Sequence, residues 1–139
     1  MFATVLDRYP TPPCAKLLGL DILDADPARG WVRIRFEAAA DFQNASGAVQ
    51  GGLLTAMLDD TMGPAVLIMT GAKVYPTTVS MTVNFLASAR CGPLFAEATV
   101  LQLGKTIGFV EAHLTDVDGA MIARATSSVR LRAMDSMDV

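Results

Sequence analysis

The segment QGGLLTAMLDDTMGPAVLIMT, Gln50 to Thr70, is apolar on nearly every side except for two adjacent aspartates at its centre. A helix of about twenty residues with no polar face does not lie on a surface; other elements wrap it. Two glycines open the segment and Gly71 closes it. Pro64 removes one amide from its hydrogen-bond ladder and should loosen or kink it. Charges and a proline at the middle would be unfavourable in a bilayer, so the segment reads as the core helix of a soluble protein.

Strands flank this helix on both sides. A short helix opened by proline is expected over Cys14 to Leu18, followed by strands at Leu20 to Asp24 and Trp31 to Glu37. Asp26, Pro27, Ala28, Arg29 and Gly30 supply turn chemistry between the two strands. In the second, Val32, Ile34 and Phe36 alternate with Arg33, Arg35 and Glu37, which gives one dry face. After the helix come Thr78 to Leu86, Phe95 to Leu103, Ile107 to Thr115 and Met121 to Arg132. In Thr78 to Leu86, Val79, Met81, Val83 and Phe85 share one face. Asp116, Val117, Asp118 and Gly119 form a hairpin turn, and the last strand closes the sheet. The order α-β-β-α-β-β-β-β defines an α+β class: a curved antiparallel sheet of about six strands around one long central helix. A single domain over 1–139, with its core over about 13–132, accommodates all of it.

Composition narrows the function. The chain is 52% apolar and only 18% charged, with a net charge of −3. That balance excludes disorder, gives no basic excess for nucleic acid, and implies apolar surface covered by a partner subunit. Met1 to Pro10 holds Asp7 and Arg8 and no apolar signal region, so a cytoplasmic, non-membrane protein is expected. Cys14 and Cys91 form no CxxC pair, and no cluster at metal-ligand spacing exists, so neither a metal nor a cofactor is expected. The one histidine, His113, falls on the solvent face of its strand beside Glu111, which removes the base of Ser-His or Cys-His catalysis.

Candidate chemistry lies on the central helix. Aspartate is a poor mid-helix residue and rarely buried alone. Asp59 and Asp60 stand ~100° apart around the axis, so one can face a site while the other meets solvent or a donor. Asp59 shares a face with Gly52, Thr55, Met62 and Val66; Asp60 falls with Leu53, Met57 and Pro64. The alternative is that both are salt-bridged interface residues. At the helix start, Gln50, Gly51 and Gly52 leave backbone amides open to a ligand, a setting suited to a developing oxyanion.

Asn44 lies six residues before Gln50, and Asp59 nine residues after it. With Gly51 and Gly52, the strand TTVSMTVNFL and the turn Gly104, Lys105, Thr106, these intervals resemble the hotdog-fold acyl-CoA thioesterases, in particular the phenylacetate-pathway (PaaI-like) branch. The likeness runs from about Pro13 to Arg132. The family's histidine is here Gln50, which keeps a donor and an acceptor but does not titrate. The resemblance implies hydrolysis of an acyl-CoA thioester, with coenzyme A as part of the substrate. By position it assigns Gly51 to the carbonyl oxygen, Asn44 to placing the thioester or the water, Gln50 to the carbonyl or the sulfur side, and Asp59 to water activation, with direct attack to form an anhydride as the alternative. It also assigns Thr78 to a strand position where relatives carry a hydroxyl near that water. Gly52 completes the mouth; Leu54, Met57, Leu58 and Met62 are candidates for the acyl pocket, and Lys105, Arg90 and Arg124 for the phosphates.

Asp59 lies eight residues after Gly51, a rise of about 12 Å along a helix. One chain does not bring both to one reacting centre, because a base must come within ~3 Å of its water. If both act, a homodimer is required, and pairing into a tetramer is compatible with it. A second reading stands beside hydrolysis: a non-catalytic acyl-CoA or small-ligand binding protein on the same scaffold. A dehydratase needs a titratable acid and base near substrate, which the outward His113 does not supply.

Overall fold

In a computed structural model that describes residues 2–136, the chain runs α1 (Pro13–Leu18), β1 (Asp21–Asp26), β2 (Trp31–Ala38), α2 (Gly51–Met69), β3 (Val74–Phe85), β4 (Gly92–Leu103), β5 (Ile107–Thr115) and β6 (Met121–Ala133). Short 3-10 turns join or flank them at Val5–Arg8, Pro27–Arg29, Ala40–Phe42 and Met134–Ser136. All strand pairs are antiparallel, in the spatial order β1-β2-β4-β5-β6-β3. This is the hotdog fold that the sequence resemblance implies, α+β with six strands curved around one helix.

The alternation of each inner strand decides which face meets α2. Val32, Ile34 and Phe36 are fully buried, while Arg33 between them and Glu37 after them are exposed and Arg35 is half-buried. Alanines line the middle of the inner face: Ala98 pairs with Ala112, and Ala112 with Ala125. Small side chains there let the helix settle close to the sheet, and Leu54, Met57, Leu58, Met62 and Val66 fill the space between. Long enough and apolar enough to cross a membrane by composition, α2 instead has half of that stretch buried inside the chain's own sheet. It runs through Pro64 with no break in its helical run, and Pro64 leaves the Asp60 carbonyl without its helical donor.

Two differences from the sequence reading have physical causes. β3 begins four residues early, at Val74, and includes Pro76. Among the described residues β3 pairs only with β6, so it and not β6 ends the sheet. An edge strand tolerates a residue without an amide proton on its unpaired side. A β-bulge between Thr78 and Ser80 then shifts the register, so Val79 is 63% exposed instead of sharing an inner face with Met81 and Val83. Phe85 is also half-exposed, at the end of the strand.

Because Leu58 is wholly enclosed between α2 and the sheet, Leu58→Ala should lower the unfolding free energy by about 2–5 kcal/mol. Urea titration followed by circular dichroism checks this as a drop in midpoint at constant slope.

Candidate active site

The loop before α2 is pinned from both sides. Gln43 bridges Val49, the Gln50 amide donates to the Phe42 carbonyl at 2.9 Å, and the Val49 amide donates to Ala89 at 2.9 Å. Asn44 shapes the turn within: its Oδ1 accepts from the Ser46 amide at 2.9 Å, the Ser46 hydroxyl at 2.7 Å and the Ala48 amide at 3.3 Å. The carbonyl end of Asn44 is therefore spent on the loop, and its NH2 end faces no acceptor among the described residues.

Gln50 caps α2 by position only. Its backbone carbonyl accepts from Leu53 and Leu54, while its exposed side chain makes no capping bond. The amides of Gly51 and Gly52 find no partner among the described residues, as expected for the first turn of a helix. The Phe85 ring lies against Gly51, where an added Cβ would stand 3.3 Å from the ring edge. Glycine lets the aromatic wall approach the amide. Phe85 is a residue of the mouth that strand periodicity did not mark, because its contact depends on tertiary packing alone.

Two turns further along, Asp59 accepts a hydrogen bond from the Thr78 hydroxyl at 2.7 Å. Among the described residues neither Asp59 nor Asp60 forms an ion pair, so the salt-bridged alternative does not hold within the chain. The two carboxyls differ in setting. Asp60 turns its Oδ2 into the protein, where no donor meets it. Burial first, and the neighbouring Asp59 charge second, push its pKa up from 3.8 to about 6. The helical wheel already placed Asp60 with Met57 and Pro64, and both are buried.

The remaining candidates are spread wider. Leu54, Leu58 and Met62, with Met57, are buried in the core, Met62 accepting from the Ser127 hydroxyl at its sulfur. Lys105 is exposed in the β4–β5 turn and Arg90 is exposed just before β4. Arg124 lies on the outer face of β6, opposite His113 on β5 and Asn84 on β3. His113 faces outward as expected and pairs at 3.5 Å with Glu97, which also accepts from the Trp31 indole at 2.9 Å.

On this fold an open amide pair stands at the helix mouth, and a carboxylate without a counter-ion among the described residues is held by a hydroxyl two turns along. Residues 46–123 match the model of the Thioesterase superfamily, and the chain belongs to that family. It is 30% identical over 106 residues to acyl-coenzyme A thioesterase 13 of Homo sapiens, covering 75% of each chain. A phenylacetic acid degradation-related protein from Ralstonia eutropha JMP134 superposes with a TM-score of 0.85 at 30% identity, covering 91% of this chain and 95% of that one. The PaaI protein of the E. coli phenylacetic acid degradation operon shares the fold, with a TM-score of 0.81 at 23% identity over 94% and 92% of the two chains.

Asp60 sets a pH dependence of stability. Its folded pKa is raised above the unfolded value, so its contribution is fully present below about 3.8 and is lost as pH rises through about 6. Asp60→Asn should therefore raise Tm relative to the parent at pH 8 and lose that advantage at pH 4. Solvent at its open side keeps the gap to ~1 kcal/mol, a few degrees by scanning calorimetry.

Proposed function

We propose that the protein hydrolyses acyl-CoA thioesters at a site completed by two subunits. The observation that carries this reading is Asp59 itself: a carboxylate in an apolar helix, without a counter-ion among the described residues and held through one oxygen by Thr78. Its second oxygen is left to take a proton from water. The acyl-coenzyme A substrate class is drawn from the human relative's name.

In this mechanism the Gly51 amide, supported by Gly52 and by the positive end of α2, donates to the thioester carbonyl. The NH2 of Asn44 and the side chain of Gln50 orient the thioester. Asp59 of the partner subunit removes a proton from water, and the water oxygen bonds to the carbonyl carbon as the C=O pair moves onto oxygen. Collapse of the tetrahedral species breaks the C–S bond, and the proton returns from the aspartate to the sulfur, releasing acid and free coenzyme A. Thr78 fixes the aspartate and lies beside the attacking water. Lys105 and Arg90 are the exposed cations proposed to meet the phosphates, with Arg124 a third candidate on the outer face.

Two features support a homodimer. On a continuous helix Gly51 and Asp59 are about 12 Å apart along the axis, which no aspartate side chain closes. The β3 edge is twelve residues long and unpaired among the described residues on its outer side, with Val79, Phe85 and Leu86 exposed along or just beyond it. Such an edge is a template for a second copy. A tetramer and a cytoplasmic setting are compatible proposals.

Asp59→Asn should reduce kcat at least ~100-fold in a thiol-release assay over short, medium, long and aryl acyl-CoAs. Thr78→Val, which leaves the carboxylate in place but unheld, should reduce kcat by roughly tenfold with little change in KM. Undiminished turnover in Asp59→Asn would contradict the mechanism.

A further inference from the structure

The face of α2 that the sheet does not cover is a strip centred on Gly52, Ala56 and Gly63, with Asp59 on one flank and Asp60 on the other. A Cβ added at Gly52 or Gly63 would meet nothing within 4 Å. The strip is open and shallow, so a second helix can approach it closely. Asp60, at its margin, is incompletely served by its own chain. Its Oδ2 is buried without a donor, and no hydrogen bond or ion pair among the described residues holds the other oxygen. Pro64, four residues on, has no amide to give the Asp60 carbonyl. At the helix start, Gln50 is exposed and its carboxamide is equally unpartnered.

The dimer proposed above fixes where these groups go. For Gly51 to work with the partner's Asp59, two copies of α2 must run antiparallel about a two-fold axis at the level of Thr55, four residues from each. By the same count Gln50 and the partner's Asp60 come level, five residues to either side of Thr55. The two-fold axis also preserves flanks. At ~100° per residue, Gly51 and Asp59 lie on one side of the strip and Asp60 on the other, while Gln50, with ψ 134°, stands just before the first helical residue. The arrangement that assembles the reaction centre therefore brings these two unsatisfied side chains to one level of the paired helices.

We propose that Asp60 is a positioning residue for the partner subunit: its outward oxygen accepts a hydrogen bond from the Gln50 carboxamide and thereby aims Gln50 at the thioester. The inference rests on the two-subunit reading. Glutamine suits the role because its amide can donate one N–H to the carboxylate while the second N–H stays free for substrate. The pair also adds a fixed polar contact between the two α2 helices, which holds their register.

A donor–acceptor exchange tests this. Gln50→Glu sets two carboxylates against each other and should reduce kcat/KM at least ~10-fold at pH 8. Adding Asp60→Asn returns a donor to the pair and should recover at least ~3-fold over Gln50→Glu alone, mainly through kcat, while staying below the parent because a carboxylate at position 50 has no N–H left for substrate. A double variant no better than Gln50→Glu alone overturns the proposal. Should Gln50→Glu not fold, a cycle of Gln50→Ala and Asp60→Ala replaces it: losses that do not add support the pair, and losses that multiply overturn it. Analytical ultracentrifugation of the parent and turnover by Asp59→Asn are measured alongside. A monomeric parent or an active Asp59→Asn defeats the two-subunit reading itself, whereas a dimer dependent on Asp59 without rescue defeats only the Gln50–Asp60 pair.

Discussion

A rigid helix separates the two halves of the proposed chemistry. The amides of Gly51 and Gly52 open at the mouth of α2, and Asp59 projects two turns along it, with helical geometry unbroken between them. At 1.5 Å of rise per residue no rotamer of aspartate spans that interval. The proposed mechanism follows from this separation: in it the mouth needs a carboxylate from elsewhere, the carboxylate needs a mouth from elsewhere, and a two-fold axis would supply both at once. The sheet contributes by holding α2 on its inner face and leaving one strip of it open, with the unpaired β3 edge nearby in the topology.

The acidic pair shows how one helix can give two identical side chains different tasks. Asp59 is engaged through one oxygen by a hydroxyl from β3, and its other oxygen has no partner among the described residues. Asp60 has one oxygen buried without a donor, and its pKa rises because burial penalises its charge and Asp59 repels it. No cation among the described residues neutralises either carboxyl. Such an arrangement weakens the isolated chain and is consistent with residues kept for chemistry and assembly.

Much of this was legible in the sequence, for identifiable reasons. The limits of α2 follow from Gln50, the glycines and Gly71, and the strict alternation of β2 and β5 reproduces their inner faces. Less was legible in β3, where Pro76 masks the early start and the bulge at Val79 leaves no local signature. Within the site, the spacing of Asn44, Gln50 and Asp59 is a one-dimensional signal and could be read directly. The Thr78–Asp59 bond joins residues nineteen apart on different elements, and only the family resemblance pointed to it. The Phe85 ring over Gly51 and the orphaned oxygen of Asp60 are products of tertiary packing and have no sequence pattern of their own.

Subunit complementation tests the shared site most directly. Asp59→Asn and Asn44→Ala protomers, each nearly inactive alone, are unfolded together, refolded at equal ratio and assayed for thiol release. Half of the resulting dimers are mixed and carry one intact site, so about a quarter of the parent activity should return. A mixture that stays as inactive as its two components would show that each chain works by itself, contradicting a reaction centre divided between helix mouth and neighbouring aspartate.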